Sequence, residues 1–162
     1  MKLLPQIKTF SETTLVGIRI KTSLAENKTQ ELWQRFIPMQ KSMRNTIGAA
    51  LFSVEVYEHD FFDTFHPARE FEKWAAVQVA DAIPQSMETL TIPEGLYAVF
   101  TYIGKASEAS TIYQYIYGTW IPESDYTLDN RPHFAIMGAK YKNEDPASEE
   151  ELWIPIRKKN HK

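Results

Sequence analysis

The stretch LWQRFIP at residues 32–38 returns in outline as IYGTWIP at residues 116–122. An offset of 84 (121 − 37) lays Ile37-Pro38 on Ile121-Pro122, and without a gap also lays Ser23 on Ser107, Ala25 on Ala109 and Tyr57 on Tyr141. Leu32, Trp33, Phe36 and Ile37 in the first copy, and Ile116, Tyr117, Trp120 and Ile121 in the second, fall at i, i+1, i+4 and i+5. That spacing puts each set on one face of a helix. Proline removes a backbone donor and crowds the preceding turn, so each helix is expected to end at or just before its Ile-Pro step. Ser23 or Asn27 is the expected start of the first helix, and Ser107 followed by Glu108 that of the second.

Strands are expected on either side of each helix. Before the first, Val16, Ile18 and Ile20 alternate with Leu15, Gly17 and Arg19; before the second, Leu96 to Ile103 is β-branched and aromatic and stops at Gly104. After the first, Ala50, Phe52, Val54 and Val56 alternate with Leu51, Ser53, Glu55 and Tyr57, and His133 to Tyr141 takes the same place after the second. Trp74 to Val79 and Glu151 to Ile156 close the halves. The reading is an α+β fold, one domain over residues 1–162. Duplicated β-α-β-β units, about 13–81 and 95–157, meet around a pseudo-two-fold axis. Antiparallel sheets carry the helices on one face, with a ligand cleft between the repeats. Residues 58–70 read as a loop, 82–93 as the link between halves, and Asn143-Glu144-Asp145-Pro146 as a turn.

Alternation sorts the side chains by face. In the closing strand Leu152, Ile154 and Ile156 belong under a helix, which leaves Glu151 and Trp153 together on the other side; Glu72 and Trp74 repeat that pair in the first half. Glu55 and Tyr57 share a face, as do Ala139 and Tyr141. A carboxylate among rings is costly to desolvate unless it gains a partner. A lipophilic cation supplies one, and each ring adds cation–π attraction of about 0.5–2 kcal/mol. The expected ligand site is therefore Glu151, Trp153, Trp74, Glu72, Tyr57, Glu55 and Tyr141.

Composition narrows the function classes. With a net charge of −3 and no cysteine, the chain lacks the basic patch of a nucleic-acid binder, disulfides and thiolate chemistry; the basic end from Arg157 to Lys162 reads as a solvated tail. His59, His66, His133 and His161 show no metal-ligand spacing, and no phosphate-binding glycine loop occurs, so neither metal nor cofactor is expected. No apolar run reaches signal-peptide or membrane-spanning length, which gives the expectation of a cytoplasmic protein with no membrane or direct nucleic-acid contact.

Three segments, YIYGTWIPESDYTLDNRPHFAIM (115–137), GLYAVFTYIG (95–104) and ELWIPI (151–156), follow one another as in a known family. Together they resemble the GyrI-like family, the effector-binding domain of bacterial transcription activators and of a gyrase-inhibitor protein. The resemblance runs from about Leu15 to Ile156. It implies a duplicated βαββ fold with a cleft between repeats, and a glutamate at the Glu151 position that contacts ligands, often cationic aromatic ones. No helix-turn-helix precedes Leu15, so a stand-alone member is expected. Two departures stand out: the family's Phe-Glu-x-Tyr strand is Phe134-Ala135-Ile136-Met137 here, and Asp125 replaces a turn glycine. The leading expectation is a module that binds a small hydrophobic or cationic molecule and is not an enzyme. The alternatives are a hydrolase of electrophilic toxins working through Glu55, Glu72 and Glu151, as in some stand-alone members, and an inhibitor acting on a protein partner, as the gyrase-inhibitor resemblance implies.

Overall fold

The structure is a computed structural model that describes residues 4–41, 43, 50–63, 66–79, 87–105, 108–138, 142 and 145–159. The first half runs β1 (Gln6–Phe10), β2 (Thr13–Thr22), α1 (Thr29–Lys41), β3 (Leu51–Val56), β4 (Phe71–Gln78) and β5 (Glu88–Ile92). The second runs β6 (Gly95–Ile103), α2 (Ser110–Tyr115), a π-helical turn (Ile116–Trp120), α3 (Ile121–Glu123), β7 (Tyr126–Leu128), β8 (His133–Met137) and β9 (Glu149–Lys158). The strands join in one antiparallel sheet, in the order β1-β6-β9-β8-β3-β4-β2-β5, with β7 pairing β9 off that path. The order is a palindrome about the β8–β3 junction, where Val54 faces Phe134. Trp74 is the cross-strand partner of Val54 and Trp153 that of Phe134, so the two-fold relates these positions.

The expected α+β repeat is therefore present, with changes in register. The strands repeat at an offset of 80 (134 − 54) or, for the closing strand, 79 (153 − 74), whereas the helical stripes repeat at 84. The gapless offset holds only for the helices, because the connections on either side of them differ in length. Both helical segments also pass their prolines: α1 contains Pro38 and α3 contains Pro122. In the second, the Ile121 N–H reaches back to the Ile116 carbonyl across the π turn. That widened turn makes room for the ring of Pro122, which has no N–H to place. Asn27 Oδ1 accepts the Thr29 N–H at the start of α1, while Ser23 instead closes a turn by accepting from Glu26 N–H. Ser107 lies outside the described residues. The expected link at 82–93 contains β5, which pairs β2; β1 and β7 were also not anticipated, being short strands with little alternation.

Both helical segments pack on one face of the sheet. Leu32 and Phe36 of α1 bury against Val16, Ile18, Ala75 and Val77. Ile112, Ile116 and Ile121 bury against Ala98, Phe100, Leu152, Ile154 and Ile156. The opposite face carries a third cluster that includes Leu15, Val54, Trp74, Tyr97, Phe134 and Trp153. Strands β1 and β8 stand three places apart in the sheet, about 14 Å at ordinary strand spacing. Even so, the rings of Phe10 and Phe134 are 4.8 Å apart, and Phe10 also meets Trp153 at 5.3 Å. The sheet curls inward on this side and fills its own hollow. Close approach is demanded at Gly17 as well, where a Cβ would lie 2.0 Å from the Ala75 carbonyl oxygen of the neighbouring strand.

Candidate functional site

The fold divides the expected site residues between the two faces. Glu72 and Trp74, and two-fold-related Glu151 and Trp153, lie on the curled face without helices. Each indole N–H donates to the carboxylate two residues before it. Trp74 is 3% and Trp153 8% exposed, both packed in the core. The Glu72 carboxylate also takes Arg19, whose guanidinium bridges on to Glu88 at 2.9 Å and lies over the Trp74 ring. Those two acids are held by their own neighbours. Glu55 and Tyr57 lie on the helix-bearing face, and Tyr141 is outside the described residues.

On the helix-bearing face the register builds a different constellation. Glu55 on β3 stands between its cross-strand partners Lys73 on β4 and His133 on β8. The next row holds Ser53 opposite Ala135, two small side chains at the centre of the sheet. Glu150 follows on β9, on the same face as Leu152, the partner of Ala135. Two acids thus stand at either end of a low floor. Tyr113 and Tyr117, one residue past the buried stripe of Ile112 and Ile116, overhang it from the second helix. Tyr57 and Phe62 close the Glu55 end: Tyr57 lies 4.9 Å from the His133 ring, and Phe62 stacks on His133 at 5.6 Å and meets Tyr117 at 4.9 Å. Tyr57, Tyr113 and Tyr117 are each half-buried. A half-open cavity of about 360 Å³ adjoins the Tyr57 end, with Lys21, Arg69, Phe71 and Glu72 also in its lining.

The electrostatics follow from enclosure. Glu55 pairs with Lys73 at 3.2 Å, with side chains 12% and 13% exposed. Burial nevertheless pushes the Glu55 carboxyl up, with Lys73 pulling the other way. Glu150 has no ion pair or hydrogen bond among the described residues, and burial, helped by the charge of Glu55, raises it to about 7. Burial, then nearby Arg131, depresses His133 to about 3, so its ring is neutral at physiological pH and its Nδ1 lies 2.9 Å from the Tyr117 hydroxyl. Burial and the negative charge of Glu55 hold the phenols of Tyr57, Tyr113 and Tyr117 well above their ordinary value. Such a lining offers π faces, fixed hydroxyls and carboxylate charge, the features that retain an organic molecule bearing a positive centre.

Of the residues expected from alternation, this constellation contains Glu55 and Tyr57; Glu150, Lys73, His133, Tyr113 and Tyr117 join them without having been among the expected ligand contacts. The missed signal was Glu150 itself, an acid on the same face as Leu152, Ile154 and Ile156 and beneath the helix that covers them. The missing family pair has a counterpart too. Glu55 and Tyr57 occupy the positions that the two-fold relates to Ala135 and Met137, so the acid–aromatic pair absent from β8 is carried by β3.

A family model for the GyrI-like small molecule binding domain matches residues 4–157. The chain belongs to that family. Among curated proteins, this GyrI-like chain is 26% identical over 144 residues to the transcriptional regulator BrlR of Pseudomonas aeruginosa; the match takes in 88% of the chain and 52% of the regulator. The chain thus spans about half the length of that relative. Its fold matches SAV2435, solved bound to tetraphenylphosphonium, with a TM-score of 0.68 at 20% identity over 97% of this chain and 94% of that one. It also matches a hydrolase from Listeria innocua, with a TM-score of 0.58 at 14% identity over 96% and 93% of the two chains. Among the described residues no helix is long and apolar enough to cross a membrane.

Proposed function

We propose that this GyrI-like domain binds an amphipathic organic cation over β3 and β8, with Tyr57, Tyr113 and Tyr117 against its apolar surface and the acidic lining of Glu55 and Glu150 drawing its charge. The observation behind this reading is the gathering of two enclosed acids, Glu55 and Glu150, with the half-buried rings of Tyr57, Tyr113 and Tyr117 on the face where the small side chains of Ser53 and Ala135 pair. Enclosed carboxylates are costly unless neutralised, and an incoming cation lowers that cost while stacking on rings. The phosphonium ligand of SAV2435 has this chemistry. Glu151, expected from the family resemblance to touch the ligand, and Trp153, expected from alternation to do so, act in this reading as a support for the curled face. A role in transcription, as in BrlR, would place this domain as the part that senses the molecule.

Titration with tetraphenylphosphonium, followed by Trp and Tyr fluorescence, tests the assignment. Glu150→Gln is expected to weaken binding by about tenfold, as for loss of a partly screened charge contact, and Glu151→Gln to change it little. Unchanged affinity in Glu150→Gln, with loss in Glu151→Gln, would move the site to the other face. A hydrolase is the second reading, favoured by the Glu150 carboxyl at about 7, in the range of a general acid or base. Product formed from a strained-ring electrophile by wild type and not by Glu150→Gln would establish it.

A further inference from the structure

The acids of the recess differ in what they already hold. Glu55 has a cation supplied by the fold: Lys73 is its direct cross-strand partner, 3.2 Å away and as enclosed as the acid. Glu150 sits beyond the Ser53–Ala135 floor and has neither an ion pair nor a hydrogen bond among the described residues. The groups that face it are Glu55 from β3, Lys73 from β4 and the phenol of Tyr113 from α2. Its cross-strand neighbour Tyr102 on β6 spends its hydroxyl on the Lys105 carbonyl at 2.6 Å. On β9 itself, Glu151 points to the opposite face and to Trp153. Lys73 is paired to Glu55 and acts on Glu150 only at longer range, so Glu150 is the carboxylate left without an ion pair or hydrogen bond among the described residues.

Building on the cation-binding reading above, we infer that Glu150 alone is the charge partner of the ligand, so that the recess selects singly charged cations and exchanges one proton for each cation it takes up. Glu150 ionised beside Glu55 in an enclosed space is the costly state, and protonation relieves it when the recess holds no cation. Uptake of a cation makes the ionised form favourable and expels the proton. The process is an exchange of H⁺ on the Glu150 carboxyl for the ligand's charge, with no bond made or broken elsewhere. The titration of Glu150 about pH 7 puts this exchange in the physiological range.

Tetraphenylphosphonium is the appropriate probe because its charge does not titrate, and triphenylphosphine oxide is its neutral counterpart. Calorimetry of the wild-type chain in buffers of different ionisation enthalpy is expected to report release of about one proton per phosphonium at pH 6 and none at pH 9. Affinity for the phosphonium should rise about tenfold from pH 6 to pH 8, the change in ionised fraction of an acid titrating near 7, while affinity for the phosphine oxide stays flat or falls. Glu150→Gln should remove both the proton release and the pH slope, and Glu151→Gln should keep them. A bisphosphonium should bind more weakly than the monocation at pH 8. Phosphonium binding without proton release, or with the same slope in Glu150→Gln, overturns the exchange while leaving the binding site standing. No phosphonium binding at any pH overturns the underlying reading and the exchange with it.

Discussion

At the scale of single residues, neighbouring glutamates have opposite fates because successive side chains of a strand face opposite ways. Glu151 turns to the curled face and accepts the Trp153 indole N–H at 3.2 Å, whereas Glu150 turns under the second helix and finds no partner among the described residues. The second case has a pH signature. The folded carboxyl titrates at about 7, above its ordinary 4.5, so the unfolded chain gives up this proton first and the stability contribution falls as pH rises from about 4.5 through 7. Glu150→Gln removes that loss. Urea unfolding should therefore show the variant gaining on wild type more at pH 8 than at pH 5. His133 works in the other direction: its folded value of about 3 lies below 6.5, so it supports the fold fully above 6.5 and that support is lost as pH falls toward 3. Lys73→Met leaves Glu55 enclosed without its cation. The cost is expected to be about 3 kcal/mol at pH 8, and smaller at pH 5 where Glu55 takes a proton, as read from unfolding midpoints at the two pH values.

At the scale of elements, two glycines make opposite predictions. Gly17 lies where β2 passes β4, and an added methyl would lie 2.0 Å from the Ala75 oxygen and 2.7 Å from the Ala76 Cα. Backbone cannot yield as a side-chain tip does, so Gly17→Ala should cost about 2 kcal/mol. Gly118 lies in the π turn, and a methyl added there would have nothing within 4 Å among the described residues. Gly118→Ala should therefore be neutral or stabilise by about 0.5 kcal/mol through reduced backbone entropy in the unfolded chain. Thermal unfolding of both variants measures the contrast. The helices and six strands were legible in the sequence because their periods are clean. Strands β1, β5 and β7 were not, since each is five residues or fewer and takes its order from the strand it pairs. The helix ends were misjudged for a similar reason: packing of Phe36 and Ile121 holds helical backbone past Pro38 and Pro122, against the local preference.

At the scale of the whole molecule, the duplication puts β3 beside β8 at the two-fold and leaves the gap between two helical segments directly above them. The sequence disclosed that architecture through its repeat, and the family match over residues 4–157 agrees with it. It disclosed only part of the proposed site, because alternation tells which residues share a face but not how the rings of that face pack. The curled face, which looked available, is filled by Trp74, Phe134, Trp153 and Phe10, rings brought together by curvature that no local pattern encodes. The face that looked covered carries the small pair Ser53 and Ala135 in the row next to Glu55 and His133. The duplication is inexact at this row: Glu55 and Tyr57 have no acidic or aromatic counterparts at Ala135 and Met137, so in the proposed site the ligand should set its apolar part toward Tyr57 on the β3 side and its charge toward Glu150 on β9. The most direct test is a crystal structure with a brominated tetraphenylphosphonium, its position fixed by anomalous scattering. Bromine and phosphorus are expected over Ser53 and Ala135, within contact of Tyr57 and Tyr117; a cation seated against Glu151 and Trp153 on the opposite face would contradict the assignment.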